Sequence, residues 1–101
     1  MAIVAVSIAP LGTETDSVSK YVAAAEKVLR EDGRLRYRLD PMFTTIEGDL
    51  SVIFEVIQKM QEAVFAEGAV RVSTVIKIDE RRDKEARMED KVRKVEALLE
   101  E

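Results

Sequence analysis

Apolar and polar positions along the chain switch between a period of two and a period near 3.6, and each switch marks a new element. Ala2 to Ala9 is an apolar run closed by Pro10, which cannot continue a central ladder, so it reads as a buried strand. Leu11 to Thr15 is a loop around Gly12. Asp16 or Ser17 then offers the short polar side chain that accepts from an orphan N–H at a helix start. Val18, Tyr21, Val22, Ala25, Val28 and Leu29 follow at steps of three and four, one apolar helix face that closes at Gly33. Leu35, Tyr37 and Leu39 alternate with Arg36 and Arg38, a half-buried strand with a basic far face. Asp40-Pro41 turns the chain and Met42 to Glu47 alternates again, so the two runs predict an antiparallel hairpin. After Gly48, a second helix presents Leu50, Ile53, Phe54, Ile57, Met60 and Val64 and closes at Gly68. Ala69 to Ile78 predicts a last strand, about 33 Å long at ~3.3 Å per residue.

The resulting order, β-α-β-β-α-β, is the ferredoxin-like split unit of the α+β class. Two right-handed crossovers place both helices on one face of a four-stranded antiparallel sheet. The chain is expected to be a single domain, 1–101, with a core unit over 1–80 and an appended helix over 81–101. In that tail Met88, Val92, Val95 and Leu99 form a narrow apolar stripe among charges of both signs. A helix added to a complete fold must bury such a stripe on its own domain or on a partner, and the pattern leaves both open.

Composition narrows the function. With 101 residues and 47% hydrophobic content the chain has the material for one packed core, and disorder is excluded. No apolar run approaches the ~20 residues of a membrane helix, so no membrane insertion is expected. The absence of His and Cys removes thiolate nucleophiles, imidazole bases, zinc fingers and disulfides. No metal site, no cofactor and no catalytic constellation is predicted, and the chain is not read as an enzyme. A net charge of −4 argues against nucleic acid as a partner, and an RNA-binding sheet would need surface aromatics that the far face lacks. Ala2 to Val6 has no basic leader, so it is taken as a strand, not a signal peptide, and a cytoplasmic location is expected.

Glu47 is the most informative acid. It ends a strand after Thr44-Thr45-Ile46 and precedes Gly48, whose missing side chain allows close approach by a ligand or backbone. A carboxylate beside strand-end hydroxyls accepts hydrogen bonds from an amino-substituted heterocycle or pairs with a cation. The plainer alternative is that Glu47 holds the start of the following helix, where negative charge is favoured. The loop Pro10 to Thr13, with Ser17 and Ser19, gathers amides and hydroxyls at a helix N-terminus, a workable anion site. It contains neither GxxxxGK[ST] nor GxGxxG, so nucleotide binding is not supported.

Five segments in order carry a resemblance: Pro10-Leu11-Gly12-Thr13; Ser17, Ser19 and Tyr21-Val22-Ala23; Thr44 to Gly48; Gly68 to Thr74; and Lys77 to Lys84. Together they resemble a family of small ferredoxin-like proteins, first catalogued as uncharacterised, that is linked to binding thiamine or its hydroxymethylpyrimidine part. The resemblance implies a non-catalytic ligand-binding protein that assembles as a homo-oligomer, a dimer or a dimer of dimers. By similarity, the Thr45–Glu47 strand end and the turn from Gly12 and Thr13 to Ser17 lie around the ligand. In that picture Glu47 meets the aminopyrimidine and Thr45, Ser7 and Thr74 orient its edges. Tyr21 or Tyr37 supplies an aromatic face, with ordinary core packing as the alternative for each tyrosine. The rival reading is a structural or regulatory oligomerisation module with no specific small ligand.

Overall fold

The computed structural model describes residues 1–14 and 18–101. Its elements are β1 (Ala2–Pro10), α1 (Ser19–Asp32), β2 (Arg36–Leu39), β3 (Thr44–Gly48), α2 (Leu50–Ala66), β4 (Val72–Glu80) and α3 (Met88–Leu99). The four strands form one antiparallel sheet in the order β2-β3-β1-β4. This is the expected α+β ferredoxin-like plan with a C-terminal helix.

Strand register separates the two faces. Val4 lies between Ile46 and Ile78, whereas Ile3 lies between Glu47 and Asp79. The even-numbered face packs Val4, Val6 and Ile46 against Tyr21, Ala25 and Leu29 of α1 and Ile53, Val56, Ile57, Met60 and Val64 of α2. Each large side chain fully buried there contributes roughly 1.5–3 kcal/mol. A slip of one residue would turn these positions to the opposite face, so this seam also sets the register. The odd-numbered face, to which β2 contributes its even-numbered positions, carries Arg36, Arg38, Thr45, Glu47, Lys77 and Asp79.

Element ends differ from the sequence expectation for local reasons. Pro10 is inside β1, because β3 reaches only as far as Val6 and leaves no ladder on that side for a proline to break. The predicted caps Asp16 and Ser17 lie outside the described residues; Val18 stands at the N-cap with no side-chain bond. Asp49, not Glu47, caps α2, accepting from Ser51 N–H at 2.9 Å and Val52 N–H at 3.4 Å. β4 begins at Val72, and the residue before it, Arg71, gives its carbonyl to the Leu11 N–H at 2.9 Å. α3 begins at Met88 instead of Arg82. The segment before it holds short-range pairs, Arg82 with Glu80 at 2.7 Å and Arg81 with Asp83 at 2.6 Å.

The exit of α1 is fixed twice. Gly33 takes the left-handed conformation at φ 77°. Just beyond it, Arg34 bonds Asp32 at 2.7 Å, holding that carboxyl down at about 2, and reaches Glu55 on α2.

Gly48 has φ 152°, and a Cβ there would stand 2.6 Å from the Leu35 Cδ2. Gly48→Ala is therefore expected to cost ~1–3 kcal/mol through strain and overpacking. That corresponds to a melting midpoint lower by about 4 °C or more. An unchanged midpoint would mean that Leu35 swings aside and the strand end accommodates a side chain.

Candidate ligand site

β3 places two carboxylate-bearing regions on opposite faces of the sheet. On the odd-numbered face, Glu47 is 1% exposed. Its Oε2 accepts from the Met88 N–H at 2.8 Å, and its Oε1 accepts from Arg87 Nη1 at 3.2 Å and from Arg36 Nη1. Arg36 also pairs with Glu89, and Lys91 bonds Asp79 at 2.6 Å. The first turn of α3 therefore lies over this face, with Glu47 at its N-terminus. The preference of negative charge for a helix start is met, but at α3 and not at the helix that follows Glu47 in sequence. The electrostatics agree. Glu89, ahead of Glu47, raises the Arg36 guanidinium above its ordinary value. A bond from its own backbone N–H and then Arg36 lower the Glu89 carboxyl, and Lys91 lowers Asp79.

The other sequence-predicted residues fall into several places. Thr45 shares the face of Glu47 and lines a cavity of about 270 Å³ under α3, with Ala5, Met88 and Val92. Thr13 and Tyr21 line a separate depression of about 370 Å³ beside Gly12 and Gly68. Tyr21 is also a core residue, 7% exposed. Thr74 faces the helices and donates to Gln61 Oε1 at 2.6 Å. Tyr37 lies along a groove of about 820 Å³ between β2 and α1. Ser7 borders a small cavity of about 80 Å³ at the start of β3. Ser17 lies outside the described residues. Among the described residues, Thr45 of the strand end and Gly12 and Thr13 of the β1–α1 turn thus border different depressions.

The small cavity is bordered by an acid that lies off the apolar period of α1. Glu26 is one residue past the buried Ala25 on α1, and its Oε1 accepts from Thr44 Oγ1 across the gap to β3. Among the described residues, its buried Oε2 has no hydrogen-bond partner. The helix period placed Glu26 off the apolar stripe, and only the packing of α1 against β3 shows that its carboxylate points inward. Among the described residues, no three His, Cys, Asp or Glu side chains gather as a metal site.

A sequence profile of the family described as thiamine-binding protein matches residues 4–96. The chain belongs to that family. Among family relatives, the UPF0045 protein YqgV of Bacillus subtilis is 50% identical over 102 residues, covering 98% of each chain. The hypothetical protein MJ1052 of Methanocaldococcus jannaschii has a solved structure that matches with TM-score 0.81 at 38% identity. That match covers 99% of this chain and 97% of the other. A candidate thiamine biosynthesis/salvage protein from Thermotoga maritima matches with TM-score 0.78 at 21% identity, over 93% of this chain and 97% of that one, a likeness of fold. No helix among the described residues is long and apolar enough to cross a membrane.

Proposed function

We propose that this chain is a non-catalytic binding protein for a small heterocycle of the thiamine or hydroxymethylpyrimidine class, and that it acts as a homo-oligomer with an even number of subunits. The observation that carries the reading is the thiamine-binding family profile over residues 4–96. The chemistry of β3 supports it. Thr44 and Thr45 each stand near a largely buried carboxylate, Glu26 on one face and Glu47 on the other. A carboxylate recognises an aminopyrimidine because it accepts from the exocyclic amino group, while the second bond to the ring nitrogen forms with one proton shared between them. At Glu47 a ligand would have to displace Arg36, Arg87 or the Met88 N–H.

Calorimetric titration of the full chain with thiamine, thiamine phosphate and hydroxymethylpyrimidine tests this. Saturable binding of at least one, with the ligand recovered unchanged after incubation, is the expected result. No heat with any of the three, or a changed ligand, would overturn it.

A second reading has its own observation. Val75, Val95, Leu98 and Leu99 are apolar and more than half exposed. Such side chains suit a structural or regulatory module whose main work is oligomerisation. Under that reading the titrations are silent while the assembly persists.

A further inference from the structure

Burying a carboxylate oxygen without a donor is costly, so an acid held in that state marks a place where a donor from outside the chain is expected. Glu26 is in that state. One of its oxygens is engaged by Thr44, and the other is buried and, among the described residues, unpartnered. The cavity beside it, about 80 Å³, is well above the ~10–15 Å³ that a single water needs. Val22, Ala25, Phe43 and Met60 give it apolar walls, and Ser7, Glu26, Asp40 and Thr44 are the polar residues among its lining. Apolar walls with convergent polar groups are what a small-ligand site requires.

The cavity adjoins a larger groove. Val22, Glu26, Leu39 and Pro41 border both this cavity and the groove of about 820 Å³ along β2. A ligand seated at Glu26 thus has room to continue towards Tyr37, which stands 36% exposed on that groove. An aromatic face in that position suits a cationic ring.

We infer that Glu26 and Thr44 form the recognition point for the aminopyrimidine edge of the ligand, and that the remainder of the ligand lies in the groove beside Tyr37. This rests on the reading of the chain as a binder of that ligand class. A carboxylate oxygen has two acceptor directions, so Oε1 keeps the Thr44 bond while accepting a second donor. The exocyclic amino group and the ring nitrogen then span the two oxygens. The arrangement selects against a pyrimidine that presents a carbonyl in place of the amino group, since two acceptors would face each other.

The probe is hydroxymethylpyrimidine, titrated into the full-length wild type and Glu26→Gln. Binding to the variant should be about ten- to more than a hundredfold weaker, the loss of a charge-assisted hydrogen bond. A wild type that binds none of the thiamine-class ligands overturns the functional reading, and with it this site. A wild type that binds, together with a folded Glu26→Gln that binds equally well, overturns the site alone. Methyl spectra of the wild type give a second measurement that needs no variant. Ligand-induced shifts at Ala25 and Met60 are expected; shifts confined to Met88 and Val92, on the opposite face, would place the ligand elsewhere.

Discussion

Glu47→Ala is expected to lower the melting midpoint by about 10–20 °C, from a stability loss of about 2–4 kcal/mol. The side chain is fully buried and accepts from one backbone N–H and two guanidiniums. Removing it leaves the Met88 N–H without its acceptor at a buried residue, a loss of about 1–3 kcal/mol by itself. The two arginines contribute less than buried charges would. Their side chains are 53% and 45% exposed, and water takes over much of their solvation. Glu47→Gln separates a latch for α3 from a ligand anchor. The amide keeps an oxygen for Met88 but turns donors towards Arg36 or Arg87, so a latch loses stability and leaves affinity in place. An anchor loses affinity, about ten- to more than a hundredfold, and little stability. Melting curves, titration and hydrogen exchange of the first α3 amides on the same protein give the answer. A Glu47→Ala midpoint equal to wild type would remove the latch.

The contrast between Glu47 and Glu26 shows how far the sequence carries the site. Strand alternation made the fold legible, because Val4, Val6 and Ile46 must share a face once the hairpin and crossovers are in place. The same logic correctly separated Arg36 and Arg38 from Tyr37 and Leu39. What it could not supply was contact between elements distant in sequence. Glu47 is near Gly48 and Asp49 in the chain, yet its donors come from Arg36, Arg87 and Met88. Glu26 was hidden for the same reason, since its partner Thr44 lies 18 positions away. The signal available beforehand was weak: an acid directly beside the apolar stripe of α1, and a threonine on the core-facing side of β3. Tyr37 was legible as a half-buried aromatic, whereas the placement of Thr74 opposite Gln61 depends on where β4 begins.

The tail divides the two roles that its apolar stripe left open. Met88 is 6% exposed over the sheet, while Val95, Leu98 and Leu99 are 57%, 67% and 78% exposed. The beginning of the stripe is thus bound to its own domain, and its end is exposed, where the proposed oligomer would cover it. Leu98→Glu with Leu99→Glu is therefore expected to reduce the proposed oligomer to a smaller species at micromolar concentration while leaving the Glu47 latch intact. In a two-fold contact each side chain counts twice, so the pair supplies on the order of 6–12 kcal/mol when fully buried. That is comparable with the ~8 kcal/mol behind a micromolar dissociation constant. Point changes are preferable to truncating the helix, because removal of Arg87 and Met88 would strip Glu47 of its donors and mix a folding defect with an assembly defect. Light scattering and a melting curve on the same sample read both effects. A wild type that scatters as the 11.4 kDa chain would remove the assembly proposal. A wild-type oligomer that survives both glutamates would move the contact away from the end of α3, with the outer edge of β4 as the next place to look. Among the described residues that strand has a single neighbour, β1, and its other backbone edge is unpaired.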